Sequence, residues 1–208
     1  MVVAIDGPAG AGKSTVARAV AQRLGYTYLD TGAMYRCVGL AARDDFTSAG
    51  QVAERVEIQL GERVLLDGRD VTEEIRTAAV SEAASHVASD PAVRAALVRK
   101  QQAIVATGHW VAEGRDIATV VAPDAAVKVF LTADPEERAR RRALDLGHDV
   151  EEVLAAQRER DLRDQSGGQR ATLEAPKDSV PVDTTGLTLD QVVDQVVTLA
   201  IEAKEIEA

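Results

Sequence analysis

Apolar and polar positions along this chain follow two rhythms, short continuous runs and helical spacing, and the two take turns. Met1 to Ile5 is a valine-rich apolar run, the pattern of a buried parallel strand. From Thr15, Val16, Ala19-Val20 and Leu24 recur on one helix face, and Gly25 marks the end. Thr27-Tyr28-Leu29-Asp30 reads as a second strand, followed by a helix with Tyr35, Val38 and Ala42 at helical period. Asp90-Pro91 starts another helix, with Ser89 or Asp90 as cap, running to about Ala106 before Gly108. Trp110-Val111-Ala112 makes a third strand, Val127 to Leu131 a fourth and Val180-Pro181-Val182 a fifth. Pro181 restricts the fifth to an edge or a strand start. The last helix opens on Thr188-Leu189-Asp190-Gln191, a capping-box spacing, with Val192-Val193, Val196-Val197 and Ala200 on one face. The alternation predicts an α/β fold, a doubly wound parallel five-stranded sheet with its ligand beyond the strands' carboxyl ends.

One stretch breaks the rhythm. Val56-Glu57-Ile58-Gln59-Leu60 alternates at period two, Gly61-Glu62 is a turn candidate, and Val64-Leu65-Leu66 precedes a second turn signal at Asp67-Gly68. This predicts a small antiparallel insert, about residues 55–71, between two helices of a single domain spanning 1–208. The linker-like stretch is Gln165 to Pro176, polar and glycine-containing.

Between the first strand and first helix, Gly7-Pro8-Ala9-Gly10-Ala11-Gly12-Lys13-Ser14 fits G-x-x-x-x-G-K-[ST] without mismatch. Glycines let the backbone amides approach phosphate oxygens, and the helix N-terminus completes an anion cradle. Gly7 to Ser14 and Thr15 are therefore the candidate ATP-binding residues. Lys13 is placed to reach the β- and γ-phosphates, and the Ser14 hydroxyl to take a Mg²⁺ ligand position.

Composition narrows the setting. A formal charge of −10 over 208 residues argues against nucleic acid as the main partner, since phosphate contacts want a basic surface. Cys37 is the single cysteine, and His86, His109 and His148 show no ligand spacing, so a multi-cysteine or zinc site is not expected. Without a membrane-length apolar run or a signal peptide, the chain reads as a soluble cytoplasmic protein with no membrane partner.

Phosphate-binding loops serve switches, motors and small-molecule kinases alike. The guanine-reading Asn-Lys-x-Asp motif of switches cannot be present, because the chain contains no asparagine. A small phosphotransferase needs arginines to neutralise a second phosphate-bearing substrate, and they cluster here. Glu136-Glu137-Arg138-Ala139-Arg140-Arg141-Arg142 and Arg158-Glu159-Arg160-Asp161-Leu162-Arg163-Asp164 flank a short segment around Gly147. Two helices joined there suit a closing lid, about residues 143–157. A solvated, salt-bridged helix pair has the same charge pattern.

Three further stretches separate these readings. "LDTGAMYR" after the first helix, "GRDIATVV" at the third strand and "ERDLRD" near the lid together resemble bacterial cytidylate kinases, in order and nearly end to end. The resemblance implies transfer of the ATP γ-phosphoryl group to CMP and dCMP with Mg²⁺, by a monomer whose partners are small-molecule nucleotides. It makes about residues 31–107 the monophosphate-binding part. Carried onto matching positions, it puts Thr31, Arg36 and Arg115 at the acceptor phosphate, with Lys13, Arg36 and Arg115 catalytic. It turns Ser85, Arg94 and Asp116 toward the cytosine, and Arg160 and Asp164 toward the ribose hydroxyls. Asp30 and Glu113 end strands near the loop and are both candidates for ordering Mg²⁺-bound water. The family's further arginine after the "RD" pair is displaced here, with Gln165 to Gln169 intervening before Arg170. Another small-molecule kinase (for UMP, AMP or shikimate) and a nucleotide sensor without an acceptor are the rival readings.

Overall fold

The computed structural model describes residues 1–165 and 175–207. The chain enters through β1 (Val2–Asp6), α1 (Lys13–Leu24) and β2 (Thr27–Asp30). It continues through α2 (Thr31–Ala41), α3 (Ala49–Arg55), the short strands β3 (Ile58–Gln59), β4 (Leu65–Leu66) and β5 (Arg69–Asp70), then α4 (Ala78–Val87) and α5 (Pro91–Val105). It returns through β6 (Trp110–Gly114), β7 (Val127–Thr132), α6 (Pro135–Leu146), α7 (Val150–Gln165), β8 (Val180–Asp183) and α8 (Leu189–Glu207). Its contacts divide it into two units, Met1–Tyr28 with Gly108–Ala208, and Leu29–Thr107.

The sheet has the order β2-β6-β1-β7-β8, with β1 flanked in parallel by β6 and β7. In such a sheet the central strand is covered on both faces, which is why Val3, Ala4 and Ile5 form an unbroken buried run rather than an alternating one. Pro181 sits on β8, at the sheet edge, where its missing N–H costs no interior ladder bond. One apolar cluster joins Val3, Ile5, Val129 and Leu131 of the sheet with Val16 and Val20 of α1 and Val192, Val193 and Val196 of α8. The α8 capping box is closed reciprocally. Thr188 N donates to Gln191 Oε1 at 2.9 Å, and Gln191 N donates to Thr188 Oγ1 at 3.3 Å. No helix among the described residues is long and apolar enough to cross a membrane.

In the other unit α2 and α4 pack so closely that a Cβ on Gly39 would lie 2.7 Å from the Ala84 amide nitrogen. Asp90 caps α5 by accepting from the Ala92 amide at 2.8 Å, with Pro91 at the first helical position. The antiparallel insert carries one strand more than the period-two pattern shows. Asp67 and Gly68 both adopt positive φ, 49° and 79°, as a tight two-residue hairpin requires, and they fold the chain back so that β5 pairs with β4. At two residues, β5 is too short to display a hydrophobic period.

Candidate active site

The phosphate loop is shaped by approach and by handedness. Gly7 follows β1 so closely against β7 that a Cβ there would sit 2.1 Å from the Leu131 carbonyl oxygen, a collision no other residue avoids. Gly12, the N-cap of α1, is left-handed at φ 85° and offers the first-turn amides of the helix no capping side chain of its own. Amides so arranged at the positive end of the helix dipole are a site for phosphate oxygens. Lys13 Nζ lies back over this loop and donates to the Pro8 carbonyl at 2.9 Å. Ser14 and Thr15 are exposed in the first turn.

The arginine-rich helix α6 reaches the same loop. Arg138 is buried and donates from Nε to the Ala133 carbonyl at 3.2 Å, from NH1 to the Ala9 carbonyl at 3.0 Å and from NH2 to Asp161 Oδ2 at 2.9 Å. It therefore ties α6, the phosphate loop and α7 together, a structural task that its place in a run of charges conceals. Arg141 donates to the Thr184 hydroxyl and carbonyl, each at 2.9 Å, and its guanidinium lies 3.9 Å from where a Gly12 Cβ would stand. Arg140 and Arg141 both bond Glu137 on the outer side of α6, so part of the helix does follow the salt-bridged pattern.

Beyond β6 the chain makes a single π-helical turn, Ile117–Val121, in which Val121 N bonds Asp116 O at 3.3 Å and Ala122 N bonds Ile117 O at 2.7 Å. Arg115 and Asp116 enter this turn, and Asp116 is buried at 8% exposure. Glu113, buried in β6, accepts from the Tyr28 hydroxyl at 2.8 Å, and the Arg18 guanidinium covers the Tyr28 ring at 4.9 Å. Asp6, the last residue of β1, is 1% exposed and accepts from the Ile117 and Ala118 amides at 2.9 and 2.8 Å. Burial pushes its carboxyl up to about 6, the two amides and Lys13 pulling it down and the Asp116 charge adding to the rise. Asp6 was not among the expected site residues. Its signal is only a carboxylate ending an apolar strand immediately before the loop.

In the second unit, Thr31 and Arg36 lie on α2, Ser85 on α4 and Arg94 on α5. Asp30 caps α2 with Oδ1, which accepts from Ala33 N at 2.8 Å, and its Oδ2 accepts from Arg36 NH2 at 3.0 Å. Thr31 is buried, and Ser85 and Arg94 are half-buried. Cys37 on α2 is buried, and burial pushes its thiol up to about 12. Arg160 and Asp164 lie on α7, with side chains outside the described set, and Arg170 is outside the described residues.

A cytidylate kinase family model matches residues 3–202. The chain is 49% identical over 206 residues to the cytidylate kinase of Caldanaerobacter subterraneus subsp. tengcongensis, covering 93% of this chain and 92% of that one. It is 43% identical to that of Rhodopirellula baltica, covering all of this chain and 96% of the relative. Among solved structures, a gluconokinase from Sinorhizobium meliloti shares the fold at a TM-score of 0.53 and 18% identity, over 99% of this chain and 95% of the other. With the family model matching residues 3–202 and these relatives matching over nearly the whole length, the chain belongs to the cytidylate kinase family.

Proposed function

We propose that this chain transfers the γ-phosphoryl group of ATP to CMP and dCMP, giving ADP and the cytidine diphosphates. The observation that carries the reading is the Gly114-Arg115-Asp116 turn, a cation and a buried carboxylate presented in one unit with a glycine-lined phosphate loop. Phosphoryl transfer asks the protein for positioning and charge neutralisation, with no covalent enzyme intermediate. The amides of residues 7–15 and Lys13 hold the donor phosphates. Arg36, Arg115 and Thr31 hold the acceptor phosphate, and the guanidinium groups offset charge on the moving group. Ser85, Arg94 and Asp116 meet the cytosine, and Arg160 and Asp164 the ribose hydroxyls.

The residues fit a magnesium ion. The Ser14 hydroxyl is exposed at the loop, and Glu113 supplies a buried carboxylate held in place by Tyr28. Both oxygens of Asp30 already serve the α2 cap and Arg36, which favours Glu113 for ordering metal-bound water. Held by the Ser14 hydroxyl, with Glu113 ordering its water, the ion would supply positive charge to offset that of the donor phosphates.

An assay of ADP release from ATP with CMP, dCMP, UMP, AMP and shikimate in turn tests the proposal. CMP and dCMP should support turnover well above the others. Acceptor-independent ADP release, or none, would leave a nucleotide sensor.

A further inference from the structure

The π-helical turn after β6 has an N-terminal problem that its own sequence does not solve. The first amides of any helical turn lack intrahelical partners, and an aspartate at the N-cap ordinarily accepts from them. Asp116 occupies that N-cap position and makes no side-chain cap bond. The amides of Ile117 and Ala118 are met instead by the two oxygens of Asp6, 111 and 112 residues away in sequence. From this exchange of duties we infer that Asp6 is a positioning residue for acceptor recognition, capping the turn in place of Asp116 so that the Asp116 carboxylate is kept for the base of the acceptor nucleotide. The inference rests on the proposed role of Asp116.

Two observations support it beyond the bonds themselves. Asp6 is held buried in the fold although burial opposes its charge, so this long-range cap is retained at a cost. The geometry also separates donor from acceptor effects. Asp6 lies within the field of Lys13, so removing its charge makes the phosphate loop more positive and should not weaken ATP. Removing an acceptor from the Ile117 and Ala118 amides gives the Asp116 carboxylate a competing task at its own turn.

Steady-state kinetics on Asp6→Asn, Asp116→Asn and the double variant test this. The asparagine is isosteric, but its one carbonyl oxygen satisfies one amide and its NH₂ opposes the other. Asp6→Asn should raise the KM for CMP at least about tenfold, leave that for ATP within about twofold, and lower the CMP-over-UMP ratio of kcat/KM. Exchange at the Ile117 and Ala118 amides should quicken in the same variant. The double variant should be little less selective than Asp116→Asn alone, because Asp6 acts through Asp116. If Asp116→Asn collapses selectivity and Asp6→Asn does not, the capping inference fails alone. If Asp116→Asn leaves selectivity intact, the base-reading role fails and this inference with it. A parallel rise of both KM values with a fall in thermal midpoint would make Asp6 a fold residue only, and would equally overturn the proposal.

Discussion

Arg36, in the second turn of α2, is held at 3.0 Å by Asp30 at the helix's N-cap, and the same carboxylate caps that helix through the Ala33 amide. One side chain thus fixes both where the helix begins and where its guanidinium points. The two tasks separate by mutation. Asparagine caps as well as aspartate, so Asp30→Asn should keep stability within a few tenths of a kcal/mol, whereas Asp30→Ala should lose about 1 kcal/mol. Both should raise the KM for CMP several-fold, because both remove the charge that holds Arg36. Denaturation and kinetics on the pair decide it. An unchanged KM in Asp30→Asn would mean that Arg36 is oriented by other contacts.

Lys13 illustrates the opposite case, a residue whose cost falls on the reaction and not on the fold. Its ammonium is half-exposed over the loop. Lys13→Ala should cut turnover at least about a hundredfold with the unfolding midpoint nearly unchanged, since it opposes charge developing in transfer. Near-normal turnover would remove the loop from the mechanism.

The strands, the phosphate loop and the α8 cap were legible because each is written in a few adjacent residues. Val2–Asp6, the loop glycines and Thr188 with Gln191 all obey local rules. The strand β5 and the role of Asp6 were not legible, for two different reasons. Arg69–Asp70 is a strand only because a two-residue turn returns it to β4. Asp6 acquires its function from amides more than a hundred residues away, contacts that no spacing along the chain encodes. Arg138 was misleading for a third reason. Glu136 and Arg140, two residues to either side, are exposed charges, and only the packing of α6 turns this one inward.

That inward arginine should be the most fragile point of the unit. Removing one member of a buried ion pair leaves the other uncompensated, at roughly 3–5 kcal/mol. Arg138→Ala strands the Asp161 carboxylate and two backbone carbonyls, and should lower stability by about that amount. Adding Asp161→Ala should recover part of the loss, and chemical denaturation of the three proteins measures it. Additive losses would show that Arg138 and Asp161 are not coupled.

Asp116 should decide the base. A carboxylate offers acceptors only, suiting the cytosine amino group and opposing the uracil carbonyl in its place. Asp116→Asn adds a donor without changing shape, so the CMP-over-UMP ratio of kcat/KM should fall at least about tenfold, or about 1.4 kcal/mol. Equal losses on both nucleotides would assign Asp116 to orienting Arg115.

Asp6 carries a prediction in pH as well. Its carboxyl titrates at about 6 in the fold against 3.8 ordinarily, with burial the leading cause, opposed by the Ile117 and Ala118 amides and by Lys13 and reinforced by Asp116. Between those two values the folded protein holds a proton that the unfolded chain has lost. Stability from this group is therefore present below about pH 4 and is lost as pH rises to about 6. A difference of about two pH units corresponds to about 3 kcal/mol that the ionised group costs at neutral pH. Asp6→Asn has no proton to lose there. Its stability relative to the unsubstituted protein should improve from pH 4 to pH 7 by up to about that amount, whatever its offset at low pH. Urea denaturation of both proteins at the two pH values, with equal salt, reads the change. A difference that does not vary with pH would show that the carboxyl is not titrating in this window. Asp6 would then meet the turn in one protonation state throughout.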